Sequence, residues 1–364
     1  MRVVNLSVKN FRNLYEQSIS FEKGLNVITG QNAQGKTNLM ESIYLCSLGK
    51  SPRTEKHKDM INYQKDFARV STAFNSRFGD AEISVVLYKN KKKSVSVNSI
   101  PILKTGEMLG YFNTVYFSPD EIRLIKASPD YRRRFMDIDL SQTDKNYFYS
   151  LVSFNKILAQ RNSLLKSSNN IDSLKDMLFV WDTQLALECA RIVYKRQAFC
   201  NTLKDFAADA HLRVSGGKEK LELTYITAIK GDSIAEKKQT ALNLLKSTLQ
   251  RDFELRYTTT GCQRDDIKFS VNGVDVREFG SQGQQRTSSL ALKLAELSVF
   301  KQTTGDYPVL MLDDVLSELD LTRQKQLLTF DEDMQIILTA THLEQALEKN
   351  LQYKKFTITE GKVI

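Results

Sequence analysis

The residues with the most specific chemistry are Gly30-Gln31-Asn32-Ala33-Gln34-Gly35-Lys36-Thr37. They match G-x-x-x-x-G-K-[ST] and lie between an apolar run, Leu25–Thr29, and a helical pattern carrying Leu39, Met40, Ile43 and Tyr44. The two glycines let backbone wrap closely around an anion. A helix starting there aims its free N–H groups and positive dipole end at that anion. In such a loop Lys36 bridges β- and γ-phosphate oxygens and Thr37 ligates Mg²⁺, so all eight residues are expected to line an ATP site. The loop needs a second piece, a strand ending in acid. Val309-Leu310-Met311-Leu312-Asp313-Asp314 supplies it, with four apolar residues for a buried parallel strand and then two carboxylates. Asp313 is expected to hold Mg²⁺ through water, and Asp314 to orient or deprotonate an attacking water. Alone, an acid after an apolar strand marks only a strand end; paired with the loop it is a site.

Charge bears on the partner. Lysine and arginine number 52 against 43 aspartates and glutamates, a net charge of +9. That balance favours a polyanion, nucleic acid before membrane. Lys89, Lys91, Lys92, Lys93 and Lys104 fall in a stretch without one acid, on or beside a hairpin. They are either a surface that tracks DNA phosphates or a solvated face. Arg132-Arg133-Arg134 are mixed with core-type residues and acids, so a structural or inter-lobe role is expected of them. Cys46, Cys189, Cys200 and Cys262 form no C-x-x-C pair, and three histidines argue against a zinc site. Scattered thiols, no apolar signal stretch after the first residues and no run near the ~18 residues of a membrane helix predict a cytoplasmic protein.

These residues need a frame to hold them. A chain of 364 residues allows two domains, or one with a large insertion. Val3–Val8 and Leu25–Thr29 read as strands and Gly35–Leu48 as a helix; Phe67–Phe74, Ala81–Tyr88 and Ser94–Val97 read as antiparallel strands. Pro119–Lys126 and Asp130–Leu140 are expected as short helices, and Tyr147–Leu165 with Leu174–Arg213 as a long antiparallel hairpin. A strand (Leu221–Thr227), a helix (Ser233–Leu249) and another strand (Phe253–Thr259) follow. Asn272-Gly273 inside Phe269–Val276 predicts a tight hairpin. The rest reads as a helix (Gln284–Phe300), the strand Val309–Leu312, a helix, a strand (Gln335–Thr339), then a terminal helix and strands. Loop and carboxylate strand lie near opposite ends of the chain. The expected fold is therefore an α/β P-loop head split by an insertion. Residues 1–115 and 262–364 reassemble as lobe I, and 116–261 form a mainly helical lobe II with a few strands.

Split halves around a helical insert resemble the SMC-like branch of ABC ATPases. Ser281-Gln282-Gly283-Gln284-Gln285-Arg286, opening a helix, looks like that class's signature motif. Ser317-Glu318-Leu319-Asp320 looks like its D-loop, and Thr339-Ala340-Thr341-His342 like its switch-histidine region. Taken singly they are an N-capping serine, a helix cap and a surface histidine. The resemblance implies that Ser281, Gly283 and Gln284 contact a γ-phosphate and that His342 takes part in catalysis. It also implies that loop and signature face apart in one subunit, so that ATP glues two copies into a homodimer.

Within that class, Lys9-Asn10-Phe11-Arg12-Asn13-Leu14, Phe117-Ser118-Pro119-Asp120 and the segment Ser128–Asp137 resemble the RecF family of bacterial recombination mediators. The likeness runs over nearly the full chain, which has neither a long coiled coil nor a C-x-x-C zinc hook. It implies an ATP-dependent dimeric clamp on DNA, without sequence preference, at single strands, gaps and single-strand/double-strand junctions. RecO and RecR are the implied partners, RecA loading the implied outcome, with roles in replication recovery and the SOS response. ATP is expected to act mainly as a dimerisation switch with weak DNA-dependent turnover, because Asp314 stands where many ABC ATPases use Glu. Cys262 and Gln263 stand where the family usually shows Pro-His before Arg-Asp-Asp. The alternatives are an ATP-driven nuclease or helicase and an ABC transporter ATPase subunit. No metal-binding His/Asp cluster or helicase motif supports the first; the basic helical insert and the missing Leu-Ser-Gly-Gly-Gln weigh against the second.

Overall fold

The computed structural model describes every residue except 329, 330, 332 and 343–350, with backbone only for Glu318 and Thr322. It falls into two compact units, Met1–Ile122 with Lys293–Ile364, and Arg123–Leu292. These breaks differ from the expected 115/116 and 261/262, and strand pairing is the reason, as each unit shows.

Unit one opens with β1 (Arg2–Lys9), β2 (Gln17–Ser20), β3 (Leu25–Thr29) and α1 (Lys36–Leu48). It continues through β4 (Phe67–Ser76), β5 (Gly79–Tyr88), β6 (Ser94–Val97), β7 (Ile100–Ile102) and β8 (Thr114–Phe117). The intervening unit two supplies α2 (Arg123–Lys126), α3 (Pro129–Thr143), α4 (Lys145–Ser167), α5 (Ile171–Val214), β9 (Leu221–Ile226), α6 (Ile234–Ser247), α7 (Leu249–Leu255), β10 (Asp266–Val271), β11 (Val274–Asp275) and α8 (Val276–Phe279). Helix α9 (Gln282–Thr304) contains the second break. Unit one then closes with β12 (Val309–Asp313), α10 (Leu321–Leu328), β13 (Ile336–Ala340), β14 (Tyr353–Thr359) and β15 (Lys362–Val363).

Two sheets build unit one. The first has the order β2-β1-β4-β5-β6-β7 and is antiparallel throughout. The second has the order β15-β14-β3-β13-β12-β8, parallel except for β15 at its edge. Because β8 pairs with β12, residues just past 115 stay with this unit. Strands β12 and β13 are buried along their whole length, as an apolar run in a central parallel strand requires. Helix α1 packs against β4 and β5 of one sheet and β8, β12 and β13 of the other. It therefore needs apolar residues all round: Leu39, Met40, Ile43, Leu45 and Cys46 are each fully buried. The terminal helix expected after β13 falls on residues 343–350, outside the described residues.

Unit two is built on the antiparallel pair α4 and α5. Helix α5 has 44 residues with no Gly or Pro among them, so nothing interrupts a rod of about 66 Å. Asn170 caps its start through Asp172 N–H, and Gly217 N–H closes its end on the Leu212 carbonyl at 2.7 Å. A small sheet ordered β11-β10-β9 packs on this frame, with Asn272-Gly273 in left-handed backbone forming the expected hairpin turn. Since β10 pairs with β9, residues 262–292 belong here and not with the head.

The expected strand Phe253–Thr259 is not formed. Helix α7 ends at Leu255, Arg256 turns into φ +63°, and the following residues bond to side chains. Fully buried Asp252 accepts Thr259 N–H at 2.8 Å and its hydroxyl at 2.6 Å, and Arg161 binds the other carboxylate oxygen at 2.7 Å. A buried carboxylate must be matched, and here that demand outweighs the strand preference of Tyr257, Thr258 and Thr259.

Candidate nucleotide site

The loop between β3 and α1 is shaped by close neighbours. A Cβ on Gly30 would lie 2.5 Å from the carbonyl oxygen of Ile358 on β14, so only glycine fits. Gly35 adopts φ +118°, and α1 then propagates from it, with Leu39 N–H on the Gly35 carbonyl at 2.9 Å. The turn between β14 and β15 braces the rim. Glu360 N–H donates to the Gln34 side-chain oxygen at 2.5 Å, and Gly361 N–H to the Gln34 carbonyl at 3.0 Å.

Lys36 is 7% exposed. Its ammonium donates to the carbonyls of Gly30 at 2.6 Å and Gln31 at 3.0 Å, folded back across its own loop. Burial lowers its pKa below the ordinary lysine value, and the charges of Asp314 and Asp313 oppose that shift. The Thr37 hydroxyl donates to Asp313 Oδ1 at 3.1 Å, joining residues 276 apart in the chain. The same oxygen accepts the Thr339 hydroxyl at 2.7 Å, and Asp313 Oδ2 accepts the Tyr116 phenol at 2.6 Å. Asp314 follows at φ +55°, its N–H shared between the Thr339 carbonyl at 3.2 Å and hydroxyl at 3.0 Å.

A hydroxyl and a carboxylate are hard oxygen donors, and Mg²⁺ takes one or two such ligands together with phosphate and water. Among the described residues no group of three His, Cys, Asp or Glu side chains could cage an ion. Thr37 and Asp313 therefore fit a metal carried in by nucleotide. His342 is exposed and stands just past β13, whose last residue Ala340 pairs with Thr29, next to Gly30. In the D-loop-like segment, Ser317 donates to the Asp314 carbonyl at 2.9 Å. Asp320 caps α10 by accepting Arg323 N–H at 2.9 Å.

The signature-like segment lies in unit two, not in the lobe expected for it. Ser281 and Gln284 form a capping box: Ser281 Oγ accepts Gln284 N–H at 3.2 Å, and Gln284 Oε1 accepts Ser281 N–H at 3.0 Å. Gln284 also donates to Glu219 at 2.9 Å. Ser281, Gln282 and Gly283 are exposed, and a Cβ on Gly283 would meet only Ser281 Oγ, at 3.8 Å. Packing within the chain does not demand glycine there.

The basic clusters separate by partner. Lys92 is exposed, Lys91 lies 3.9 Å from the Tyr88 ring, and Lys89 donates to the Tyr63 carbonyl at 3.0 Å. Lys93 donates to the carbonyl of Gly49, the C-cap of α1, where a cation complements the helix dipole. Burial, and the charge of Lys50, lower its pKa. Arg132 is a core residue of unit two. It binds Asp266 at 2.5 and 3.0 Å and the Ala127 carbonyl at 2.8 Å. Arg133 reaches the Asp265 carbonyl at 2.6 Å. Asp265 itself meets Arg196 at 3.2 Å and the Tyr225 phenol at 2.5 Å, so Arg132 and Arg133 join Asp265 and Asp266 in one largely buried polar network, while Arg134 is exposed.

Sequence reasoning missed Tyr116, the Gln34 brace and a buried ion pair between Arg12 and Glu41, and it placed Thr339 in the switch-like segment without its hydroxyl's bond to Asp313. Glu41 alone had a readable signal, a charge inside an otherwise apolar helix.

A family model described as the RecF/RecN/SMC N terminal domain matches residues 2–364. Proteins from Clostridium acetobutylicum and Lachnoclostridium phytofermentans, each named DNA replication and repair protein RecF, are 41% identical to this chain, covering 100% of it and 99% of their own length. Among solved structures, the recombination mediator protein RecF-ATP in the RecFOR pathway is 36% identical with a TM-score of 0.91, covering 100% of this chain and 96% of that one. An Smc head bound to the C-winged helix domain of ScpA is similar in fold alone, with a TM-score of 0.58 at 17% identity over 100% and 97% of the two chains.

Proposed function

The chain belongs to the RecF family, and on that footing we propose that it is an ATP-gated DNA clamp serving recombination and replication repair. The observation that carries this is the Thr37–Asp313 hydrogen bond, which joins a P-loop to its carboxylate strand in one site. On ATP binding, Lys36 exchanges the Gly30 and Gln31 carbonyls for phosphate oxygens, and the N–H groups at the start of α1 receive the rest of the anion. Thr37 and Asp313 would hold Mg²⁺, which would supply positive charge to offset that of the phosphates. Asp314 orients or deprotonates the attacking water; its side chain, shorter than Glu, suits a slow release timer.

The exposed start of α9, with Gly283 uncrowded by its own chain, supports a signature contact made on a second copy's nucleotide. ATP then acts as the glue of a homodimer that encloses DNA without reading its sequence. The repair name of the relatives and the RecFOR setting of the solved mediator support RecO and RecR as partners, RecA loading at gaps and junctions, an SOS contribution, and a cytoplasmic location.

Mixing two variants tests the shared site. Ser281→Arg blocks the signature contact, and Lys36→Met empties the P-loop, so neither alone dimerises with ATP. A mixed dimer keeps one intact P-loop opposite one intact Ser281, and light scattering should show partial ATP-dependent association. Normal dimerisation of Ser281→Arg, or no recovery on mixing at high concentration, overturns the shared-site mechanism.

A further inference from the structure

Asp313 is gripped from both flanking strands. Tyr116 on β8 donates to Oδ2 at 2.6 Å, and Thr339 on β13 donates to Oδ1 at 2.7 Å. Tyr116 pairs in register with Met311 of β12, and its ring stands edge-on to Tyr44 of α1 at 5.6 Å. Packing on α1 therefore fixes where the phenol oxygen sits. The neighbours Val115 and Phe117 are buried to the other face of the strand, so the alternation of β8 aims Tyr116 at the site.

The chemistry of the grip is informative. Glu41 in the same unit is buried and takes an arginine, the usual match for a buried carboxylate. Asp313, 4% exposed, receives three neutral hydroxyls from Thr37, Thr339 and Tyr116. Hydroxyl donors fix the plane of a carboxylate while leaving its charge for an incoming cation. A phenol keeps its proton at neutral pH, so Tyr116 serves as a donor only.

We propose that Tyr116 is a positioning residue for the metal site, locking Asp313 in the rotamer that receives Mg²⁺ beside Thr37. This rests on the nucleotide-site assignment above. The phenol makes no contact with nucleotide in this role; it acts through Asp313, as partners behind metal ligands do.

The test separates metal from nucleotide. ATPγS binding is measured calorimetrically in EDTA and in saturating Mg²⁺, and the ratio of the two affinities reads the metal's contribution. Tyr116→Phe keeps the ring and removes the donor, and should cut that ratio roughly tenfold while the affinity in EDTA stays at the wild-type value. Tyr116→Met, which fills the slot with no hydroxyl, should do the same and guards against a peculiarity of one variant. Asp313→Asn is the reference for loss of the metal ligand itself. If both Tyr116 variants keep the wild-type ratio while Asp313→Asn loses it, the positioning role is overturned and the metal site stands. If Asp313→Asn also keeps the ratio, the metal assignment fails and takes the proposal with it. Equal losses with and without Mg²⁺ in the Tyr116 variants mean that the hydroxyl holds up the whole site, which likewise overturns a role specific to the metal.

Discussion

Arg12 clasps Glu41 through two parallel hydrogen bonds, Nε to Oε2 at 2.9 Å and an NH2 group to Oε1 at 2.7 Å, at a carboxylate with no exposed surface. Ser51 adds a third donor at 2.5 Å. The pair ties the segment after β1 to the helix that begins at the P-loop. Glu41→Gln keeps the shape but leaves a largely buried guanidinium without its charge partner, and should destabilise unit one by about 3 kcal/mol. Urea unfolding measures this. An unchanged midpoint would show that the pair contributes nothing to folding.

Asp314→Asn should separate ATP hydrolysis from ATP binding. The amide keeps the backbone N–H bonds to Thr339 and leaves Asp313 for Mg²⁺. Phosphate release should fall about a hundredfold or more, the order expected for loss of general-base assistance, while ATP-dependent DNA binding persists or strengthens. Unimpaired turnover would assign the water to another residue.

The lysine loop should split into two functions. Lys91→Glu with Lys92→Glu should weaken binding to any DNA sequence and make the salt dependence shallower by up to ~2 units of slope. Lys93→Met should instead lower stability by about 1 kcal/mol by uncapping α1, with the slope unchanged. DNA titrations at three salt concentrations, beside thermal melts, distinguish the two. A slope change from Lys93→Met alone would return that lysine to the DNA surface.

Asp144 caps α4 by accepting the N–H groups of Asn146 and Tyr147 and pairs with Lys195 at 2.8 Å. Burial pushes its pKa up, but Lys195 and those N–H donors outweigh it, and the net shift is downward. A carboxyl depressed in the folded state stabilises fully above its unfolded value of about 3.9 and loses that contribution as pH falls through the folded value. Asp144→Ala should therefore cost about 1 kcal/mol at pH 7, and the difference from wild type should shrink below about pH 4. A gap that persists in acid would assign the loss to packing and not to the charged cap.

Local spacing made the P-loop legible, because its glycines, lysine and threonine act within one turn of chain. Helix α5 was equally open, since an uninterrupted run without Gly or Pro has few other ways to fold. Partners brought in by strand order were not. Tyr116 and Thr339 meet Asp313 only because β8 and β13 flank β12, and no periodicity in the chain encodes that neighbourhood. Lys93 looked like its neighbours by charge alone, and only the position of Gly49 sets it apart. At Tyr257–Thr259 local preference gave the opposite of the fold, because the deciding residue was the buried carboxylate of Asp252.

Strand β3 has its partners in β13 and β14, near the far end of the chain. During synthesis β3 and the apolar helix α1 leave the ribosome well before those partners, and cannot close their sheet until roughly 300 more residues are made, about 15–60 s at ordinary elongation rates. Unit two, contiguous from Arg123 to Leu292, meets its own pairing partners earlier and can fold while the head waits. For that interval the nascent chain carries unpaired strand edges and an apolar helix covered on one side only, by β4 and β5, the surfaces on which holding chaperones act. Its capacity for ATP waits on that closure, because β13 and β14 flank the strand that leads into the P-loop.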